Sequence, residues 1–250
     1  MRVPIVLVHG LRTSGSMWRP QLDALRAQGR TVVAPDLPGH GHRRGEEGFT
    51  LEAAVETVRE AIDEVGGRAL VVGLSLGGFV SIATAAIYPE RVAGLVAASC
   101  SARPVNALAH MYRIPTVLLE RLPDKGLAVN ERFHRLMLDA AGAEAVLDGG
   151  LAMEAARGVI DAISDMDVLG FLGSYPGTVW LINGTRDHFR IHEKLFLNAC
   201  VDGRLLAVPR AGHMVNLDQP EVFTKIVADA ADAVTARIIE PREEPRSPAS

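Results

Sequence analysis

Short runs of β-branched and apolar residues alternate along this chain with segments whose apolar residues recur at helical spacing. Such alternation is typical of βαβ units, in which each strand of a parallel sheet is followed by a covering helix. The runs are almost continuously apolar, as strands buried on both faces require. Six runs predict strands of one mostly parallel sheet, at Val3–Val8, Thr31–Ala34, Ala69–Val72, Val92–Ala98, Thr178–Ile182 and Arg204–Val208.

The helical segments between these runs begin and end at recognisable signals. Thr50 is a predicted N-cap, and the apolar stripe that follows it ends at Gly66. The helix predicted at Leu76–Ile87 stops before a proline. Asp218 is the predicted N-cap of a last helix that extends to about Arg237, because a proline and a glutamate follow it at capping-box positions.

One stretch interrupts the alternation. Residues 103–172 contain several helical stripes and no β-branched run, and this insertion is too long for a simple connection. We therefore expect a helical cap over the carboxyl ends of the strands, inserted into a core formed by residues 1–102 and 173–239. The Pro-rich, charged residues 240–250 are expected to form a disordered tail.

Composition excludes several classes of function. The chain has 250 residues and a net charge of −4, which argues against nucleic acid as a partner. No apolar run approaches the length of a membrane span, and the first run is too short for a secretory signal. A cytoplasmic protein is the expectation. Cys100 and Cys200 are too few for a disulfide framework, so two buried free thiols are expected.

The third predicted strand leads into the pattern Gly73-Leu74-Ser75-Leu76-Gly77, and a predicted helix follows it. This context places Ser75 on a tight strand-to-helix turn, where glycines avoid a clash between Cβ atoms and the backbone. The hydroxyl is then exposed at the sheet edge, and the Leu76 N–H at the helix start points to where an oxyanion would form. Ser75 is the candidate nucleophile.

A serine hydroxyl needs a base and an orienting acid, which follow it along the chain in the order acid, then histidine. Asp187 comes just after the fifth predicted strand, and His213 comes just after the sixth. The carboxyl ends of parallel strands meet at one edge, where active sites of open sheets gather. We therefore expect Asp187 to orient His213, and His213 to act as the base. His188 adjoins the acid and is disfavoured as the base.

The other histidines are predicted to have structural roles or to lie at the surface. His9 is interpreted as a satisfied structural histidine, and His40 and His42 as residues of a solvated loop. His110, His134 and His192 are assigned to the surface or to the cap. No third ligand joins the pair His188 and His192, so neither a metal site nor a cofactor is expected.

The chain resembles the α/β-hydrolase family over nearly its whole length. The resemblance implies that the Leu11 N–H is the second oxyanion donor and that the cap lines the substrate pocket. The N-terminal antiparallel hairpin of the family is missing, as in the compact branch that includes plant methyl esterases and hydroxynitrile lyases. Four motifs carry the resemblance: Val6–Leu11, Asp36–Gly41, the Ser75 turn, and the segments of Asp187 and His213.

The residues at the candidate site distinguish among the reactions that members of the α/β-hydrolase family catalyse. Family members that open epoxides or displace halide resemble this chain less, because their nucleophile is an aspartate. Hydroxynitrile lyases of the compact branch have threonine at the position of Gly10 and lysine at that of Met214. The expected function is a serine hydrolase that cleaves a carboxylic ester, lactone or thioester through an acyl-enzyme. The alternatives are an enol-lactonase, a C–C bond hydrolase, a cofactor-free haloperoxidase and a non-enzymatic binding protein of the same fold.

The expected partner is a small-molecule ester, lactone or thioester, and nothing in the sequence indicates the oligomeric state. Arginines such as Arg12 and Arg103 would suit a substrate carboxylate, although solvated arginines are the more frequent case. The candidate substrate-binding residues are Arg12, Trp18, Tyr112, Phe133, Met137 and Met214.

Overall fold

The computed structural model describes residues 2–46, 48–103 and 116–239. A single six-stranded sheet runs through these residues, and each pair of neighbouring strands is parallel. The strands are β1 (Ile5–Val8), β2 (Val32–Val33), β3 (Ala69–Leu74), β4 (Val92–Ala98), β5 (Thr178–Gly184) and β6 (Asp202–Val208). Their order in the sheet is β2-β1-β3-β4-β5-β6, so the direction of winding reverses between β1 and β3.

Helices cover the sheet, and helices also form the regular elements of the described residues 116–174 between β4 and β5. None of those in the described ranges combines the length and the apolar character needed to cross a membrane. The α-helices are α1 (Arg19–Ala27), α2 (Leu51–Glu64), α3 (Leu76–Ile87), α4 (Leu127–Met137), α5 (Ala140–Asp148), α6 (Ala156–Ile163), α7 (Val168–Ser174), α8 (Glu193–Ala199), α9 (Val215–Asp218) and α10 (Pro220–Ile239).

The core consists of two apolar layers, one on each face of the sheet. Alternate residues of β1 enter the two layers, since successive side chains of a strand point to opposite faces. Val6 and Val8 pack with helices α2, α3, α7 and α8, whereas Ile5 and Leu7 pack with α1 and α10. All four side chains are fully buried. The predicted fold class is therefore confirmed, and the sheet edge beyond the strands is left free to hold a site.

The predicted elements agree with the structure except at their ends. Thr50 caps α2 by accepting a hydrogen bond from the Ala53 N–H, and α3 has the predicted bounds. Strand β1 begins at Ile5, two residues later than predicted, while β5 extends to Gly184. Within the described residues 116–172 of the predicted insertion the regular elements are helical, and the last of these helices continues to Ser174. The predicted tail lies outside the described residues.

The predicted cap of the last helix is wrong. Helix α10 begins at Pro220, and Asp218 instead ends the short helix α9. The Asp218 carboxylate accepts a hydrogen bond from the Gly212 N–H at 2.7 Å. Asp218 is the last residue of α9, and Gln219 lies between it and α10, so its carboxylate bonds to the loop before His213 instead of capping α10.

The expectation of a solvated loop at His40 is also wrong. His40 is fully buried, its Nδ1 lies 2.9 Å from the Pro38 carbonyl oxygen, and its ring centroid lies 5.1 Å from that of His9. His42 is exposed as expected and contacts the Asp36 carboxylate. Both cysteines are free; Cys100 is buried, but Cys200 is only partly buried.

Candidate active site

Ser75 stands at the junction of β3 and α3 in a strained backbone conformation. Its φ of 56° and ψ of −115° lie in a region that residues with a Cβ atom seldom adopt. Two backbone hydrogen bonds hold it there: the Ser75 N–H donates to the Ala98 carbonyl, and the Phe79 N–H donates to the Ser75 carbonyl. The side chain is therefore fixed at the carboxyl end of the sheet.

Two glycines make this turn possible. A Cβ atom on Gly73 would lie 2.1 Å from the Gly77 carbonyl oxygen, and one on Gly77 would lie 2.1 Å from the Val8 carbonyl oxygen. Real Cβ atoms do not approach oxygen so closely, so both positions require glycine. The glycines thus allow α3 to begin directly against the end of β1, immediately after Ser75.

The three residues predicted as nucleophile, base and acid lie in one hydrogen-bonded chain. His213 Nε2 lies 3.0 Å from Ser75 Oγ, and His213 Nδ1 lies 3.1 Å from Asp187 Oδ1. A carboxylate accepts only, so Nδ1 carries the proton and Nε2 is free to accept from the serine hydroxyl. The arrangement can take a proton from Ser75 and hold the resulting imidazolium against a carboxylate.

Asp187 is held in its charged form although its side chain is buried. Burial by itself would raise the pKa of this carboxyl group. The hydrogen bond and charge of His213 oppose that effect, and so does the hydrogen bond from the Phe189 N–H. The pKa of Asp187 therefore stays below its ordinary value, with a further contribution from the Ser99 hydroxyl.

The sequence analysis did not single out Ser99 or Phe189, and it gave Asp218 a different role. Ser99 directly follows β4 with a positive φ of 52°, at the same sheet edge as Ser75. The Phe189 ring lies 4.7 Å from the His213 ring. Asp218 holds the loop just before His213 through the Gly212 N–H. Position at a strand end was an available signal for Ser99, whereas the sequence held no such signal for Phe189 or Asp218.

The turn after β1 lies beside the serine. A Cβ atom on Gly10 would be 3.8 Å from that of Ser75, which brings the neighbouring Leu11 to the same cavity. His9 fixes this turn from below: its Nδ1 donates to the Gly10 carbonyl at 2.8 Å, and its Nε2 accepts from the Leu37 N–H at 2.9 Å. Burial, with the nearby His40, lowers the pKa of His9 to about 3, so the ring is neutral.

A cavity of about 410 Å³ opens above Ser75. Its walls come from the sheet edge and from helices α4 and α6 of the insertion. Four predicted substrate-binding residues line it: Arg12, Phe133, Met137 and Met214. His134, which was assigned to the surface or the cap, lines it too.

The other two predicted substrate-binding residues, Trp18 and Tyr112, are not among the described residues that line the cavity. Trp18 is fully buried in the core, with its ring 5.8 Å from that of Phe223, so no substrate can reach it. The large apolar ring fills the layer between α1 and α10 instead of facing the cavity. Tyr112 lies outside the described residues.

Within residues 2–46, 48–103 and 116–239, no three side chains of histidine, cysteine, aspartate or glutamate converge where they would hold a metal ion. The described groups at the cavity floor are instead those of proton transfer. They are the serine hydroxyl, the imidazole and the buried carboxylate.

Comparison with known proteins agrees with this architecture. A sequence model described as the alpha/beta hydrolase family matches residues 5–226 of this chain. The chain belongs to the α/β-hydrolase family. Its fold and its assignment to this family of hydrolases, both predicted from the sequence, are thereby confirmed.

Individual relatives carry several names. The dihydrolipoyllysine-residue acetyltransferase component of the acetoin cleaving system of Pseudomonas putida is 30% identical over 87% of this chain. The match covers 60% of that protein, so the chain spans less than two thirds of its length. The pimeloyl-[acyl-carrier protein] methyl ester esterase of Edwardsiella ictaluri is 28% identical over 91% of this chain and 93% of its own.

A solved structure has the same fold. The structure of a thermophilic esterase from Thermogutta terrifontis superposes with a TM-score of 0.77 at 23% identity. The match covers 93% of this chain and 90% of that one. At this level of identity the likeness concerns the fold, and reaction and substrate are argued from the site.

Proposed function

We propose that this α/β-hydrolase cleaves a carboxylic ester, lactone or thioester through an acyl-enzyme on Ser75. The observation that carries the proposal is the hydrogen-bonded chain Asp187–His213–Ser75 at the floor of a largely apolar cavity. Nucleophile, base and orienting acid each have the partner that acyl transfer requires. The relative named as a methyl ester esterase supports the same reaction class.

In the first half of the reaction His213 Nε2 takes the hydroxyl proton while Ser75 Oγ bonds to the substrate carbonyl carbon. The carbonyl electrons move onto its oxygen, which becomes an oxyanion. When the tetrahedral intermediate collapses, the bond from carbon to the alcohol oxygen or thiol sulfur breaks, and His213 gives its proton to the departing group. Asp187 keeps Nδ1 protonated throughout and stabilises the imidazolium.

Water completes the cycle. His213 takes a proton from a water molecule, whose oxygen attacks the acyl carbon, and the bond to Ser75 Oγ breaks as the proton returns to the serine. The products are the free acid and the regenerated enzyme. In a lactone the two products stay joined as a single hydroxy acid.

We assign the oxyanion to the N–H groups of Leu11 and Leu76. Leu76 is the first residue of α3, where N–H groups have no acceptor within the helix and the helix dipole favours negative charge. Leu11 belongs to the turn that His9 holds beside Ser75. Removing one donor of this kind costs about 10²–10³-fold in kcat in a serine protease.

We further propose that the insertion predicted at residues 103–172 works as a cap that selects the substrate. Helices α4 and α6 contribute cavity walls, while Ser75, His213 and Asp187 all follow strands of the sheet. The insertion would then bind the part of the substrate remote from the reacting carbonyl, and the turns of the sheet would carry out the chemistry.

The test is a panel of chromogenic esters and thioesters of graded chain length, with wild type and Ser75→Ala compared. Loss of Ser75 or His213 should lower kcat by about 10⁴–10⁶-fold. A serine-directed fluorophosphonate should add to Ser75, located by mass spectrometry after proteolysis. Arg68→Gln is a matched control, since this exposed side chain precedes β3 at the end of the strand opposite Ser75 and does not line the cavity.

The assignment is wrong if the adduct maps to another residue or if Ser75→Ala keeps most of the activity. No turnover and no labelling across the whole panel would favour a binding protein of the same fold.

A further inference from the structure

Arg12 brings a positive charge into the same cavity as Ser75. It follows Leu11 in the turn after β1, with a positive φ of 66°, and its side chain is partly buried among the cavity walls. The backbone is tied to the insertion, since the Ala152 N–H donates to the Arg12 carbonyl at 2.8 Å. The residue is therefore held against the insertion, and its side chain is only partly exposed.

The described partners of this guanidinium are neutral. One Nη donates to the Thr116 hydroxyl at 3.1 Å, and the other lies 3.4 Å from the Asn130 side-chain oxygen. The buried Nε has no hydrogen-bond partner among the residues that the structure describes. In the described part of the chain Arg12 forms no ion pair; Glu120 acts on it only as a more distant charge. A planar group with five N–H donors thus keeps donors unused.

The surroundings make this charge costly. Burial lowers the pKa of Arg12, and burial together with Arg12 lowers the pKa of His134, which leaves that neighbouring ring neutral. Phe133 and Met137 of the same helix are apolar cavity walls. A buried charge without a counter-charge destabilises a fold unless an oppositely charged group completes it. A carboxylate matches the guanidinium fork in shape as well as in charge.

We infer that Arg12 binds a carboxylate at the end of the substrate remote from the reacting carbonyl. The substrate cleaved at Ser75 would then be an ester, thioester or lactone that also bears a free carboxylate. This inference rests on the function proposed above and narrows its substrate class to monoanionic acyl compounds such as dicarboxylic acid hemiesters. Arg12 would bind the acyl chain from the turn that also supplies the Leu11 N–H, which aligns the reacting carbonyl.

Matched chromogenic esters test the inference. The mono-4-nitrophenyl esters of adipate and suberate carry a terminal carboxylate, whereas 4-nitrophenyl hexanoate and octanoate have the same chain lengths and end in methyl groups. The wild type should favour the acid-bearing ester of each pair in kcat/KM. In Arg12→Gln this preference ratio should fall by about 10- to 100-fold, the range expected for a charge-assisted hydrogen bond. Arg12→Lys should keep part of this preference, and the exposed control Arg68→Gln should keep all of it.

Calorimetry on Ser75→Ala separates this inference from the proposed reaction. Monoethyl adipate should bind more tightly than ethyl hexanoate, and the additional Arg12→Gln substitution should abolish the difference. If wild type cleaves neither nitrophenyl ester but this binding difference is found, the carboxylate site stands and the esterase function is refuted. If both esters are cleaved with a ratio that Arg12→Gln does not change, the inference is refuted and the reaction stands.

If an Arg12 variant does not fold, the Ser75→Ala protein, which keeps Arg12, decides the matter alone. Equal or weaker binding of monoethyl adipate than of ethyl hexanoate to Ser75→Ala would overturn the inference.

Discussion

The neutral, buried ring of His9 should make the stability of this protein fall steeply below neutral pH. In the folded chain Nε2 of His9 accepts from the Leu37 N–H, so a proton on that nitrogen would set two donors against each other. Burial lowers the pKa of His9 from 6.5 to about 3. In the unfolded chain the ring is hydrated and takes up a proton near its ordinary pKa of about 6.5.

The sign and size of the effect follow from proton linkage. Between pH 6.5 and pH 3 the unfolded state binds one proton more than the folded state, so acid favours unfolding. The loss approaches about 1.4 kcal/mol for each pH unit, and from pH 7 to pH 5 it amounts to about 2 kcal/mol for His9 alone. His40 adds to the fall with the same sign, because burial lowers its pKa as well.

Equilibrium urea unfolding at pH 7, 6 and 5, followed by tryptophan fluorescence, measures this loss. His9→Gln should be less stable than wild type at pH 7 by about 1–3 kcal/mol, since buried hydrogen bonds are disturbed. Its further loss between pH 7 and pH 5 should be smaller than that of wild type by about 2 kcal/mol. Gln21→Ala removes a buried hydrogen bond but no titratable group, so this control should lower stability and leave its pH dependence unchanged.

The reasoning is refuted if wild type and His9→Gln lose the same stability between pH 7 and pH 5.

Three further predictions concern the turn, the acid and the cap. Gly77→Ala should cost about 3 kcal/mol or more in urea unfolding, because its Cβ would meet the Val8 carbonyl, whereas Gly158→Ala should be neutral or stabilise by up to about 1 kcal/mol. Asp187→Asn should lower kcat by about 10³–10⁴-fold without unfolding the protein, because His213 then loses the carboxylate that orients its tautomer; unchanged kcat would contradict this role. Phe133→Ala should shift the kcat/KM ratio between short and long esters by about 10–200-fold, while phosphonate labelling of Ser75 persists. If labelling is abolished in a folded variant, the cap contains catalytic groups.

Much of this fold is encoded by local patterns. A β-branched apolar run surrounded by helical stripes has few stable arrangements other than a buried parallel strand, which is why all six strands appear where they were predicted. The turn at Ser75 is similarly local. Its strained φ, and the short distances that exclude a Cβ at Gly73 and Gly77, arise within a few residues of one strand and one helix.

The approach of Asp187 and His213 was predictable for a less direct reason. Asp187 follows β5 and His213 follows β6; these strands are parallel neighbours in one sheet, and parallel strands bring their carboxyl ends together. His213 is 138 residues from Ser75 in the chain, yet strand order and the winding rule bring the two to one edge. The topology could be inferred, while the distances of 3.0 Å and 3.1 Å could not.

What only the tertiary structure decided are the environments of single side chains. Sequence analysis gave Trp18, His40 and Asp218 other places than the structure does. Trp18 packs against Phe223, and His40 packs against His9, both from distant parts of the chain. Asp218 accepts a hydrogen bond from Gly212 across a loop. The sequence contains the charge of Arg12, whereas its partial burial beside Ser75 depends on how the insertion packs over the turn after β1. Burial depends on which surfaces meet in space, and the energetic cost of an uncompensated charge arises only once those surfaces have closed around it.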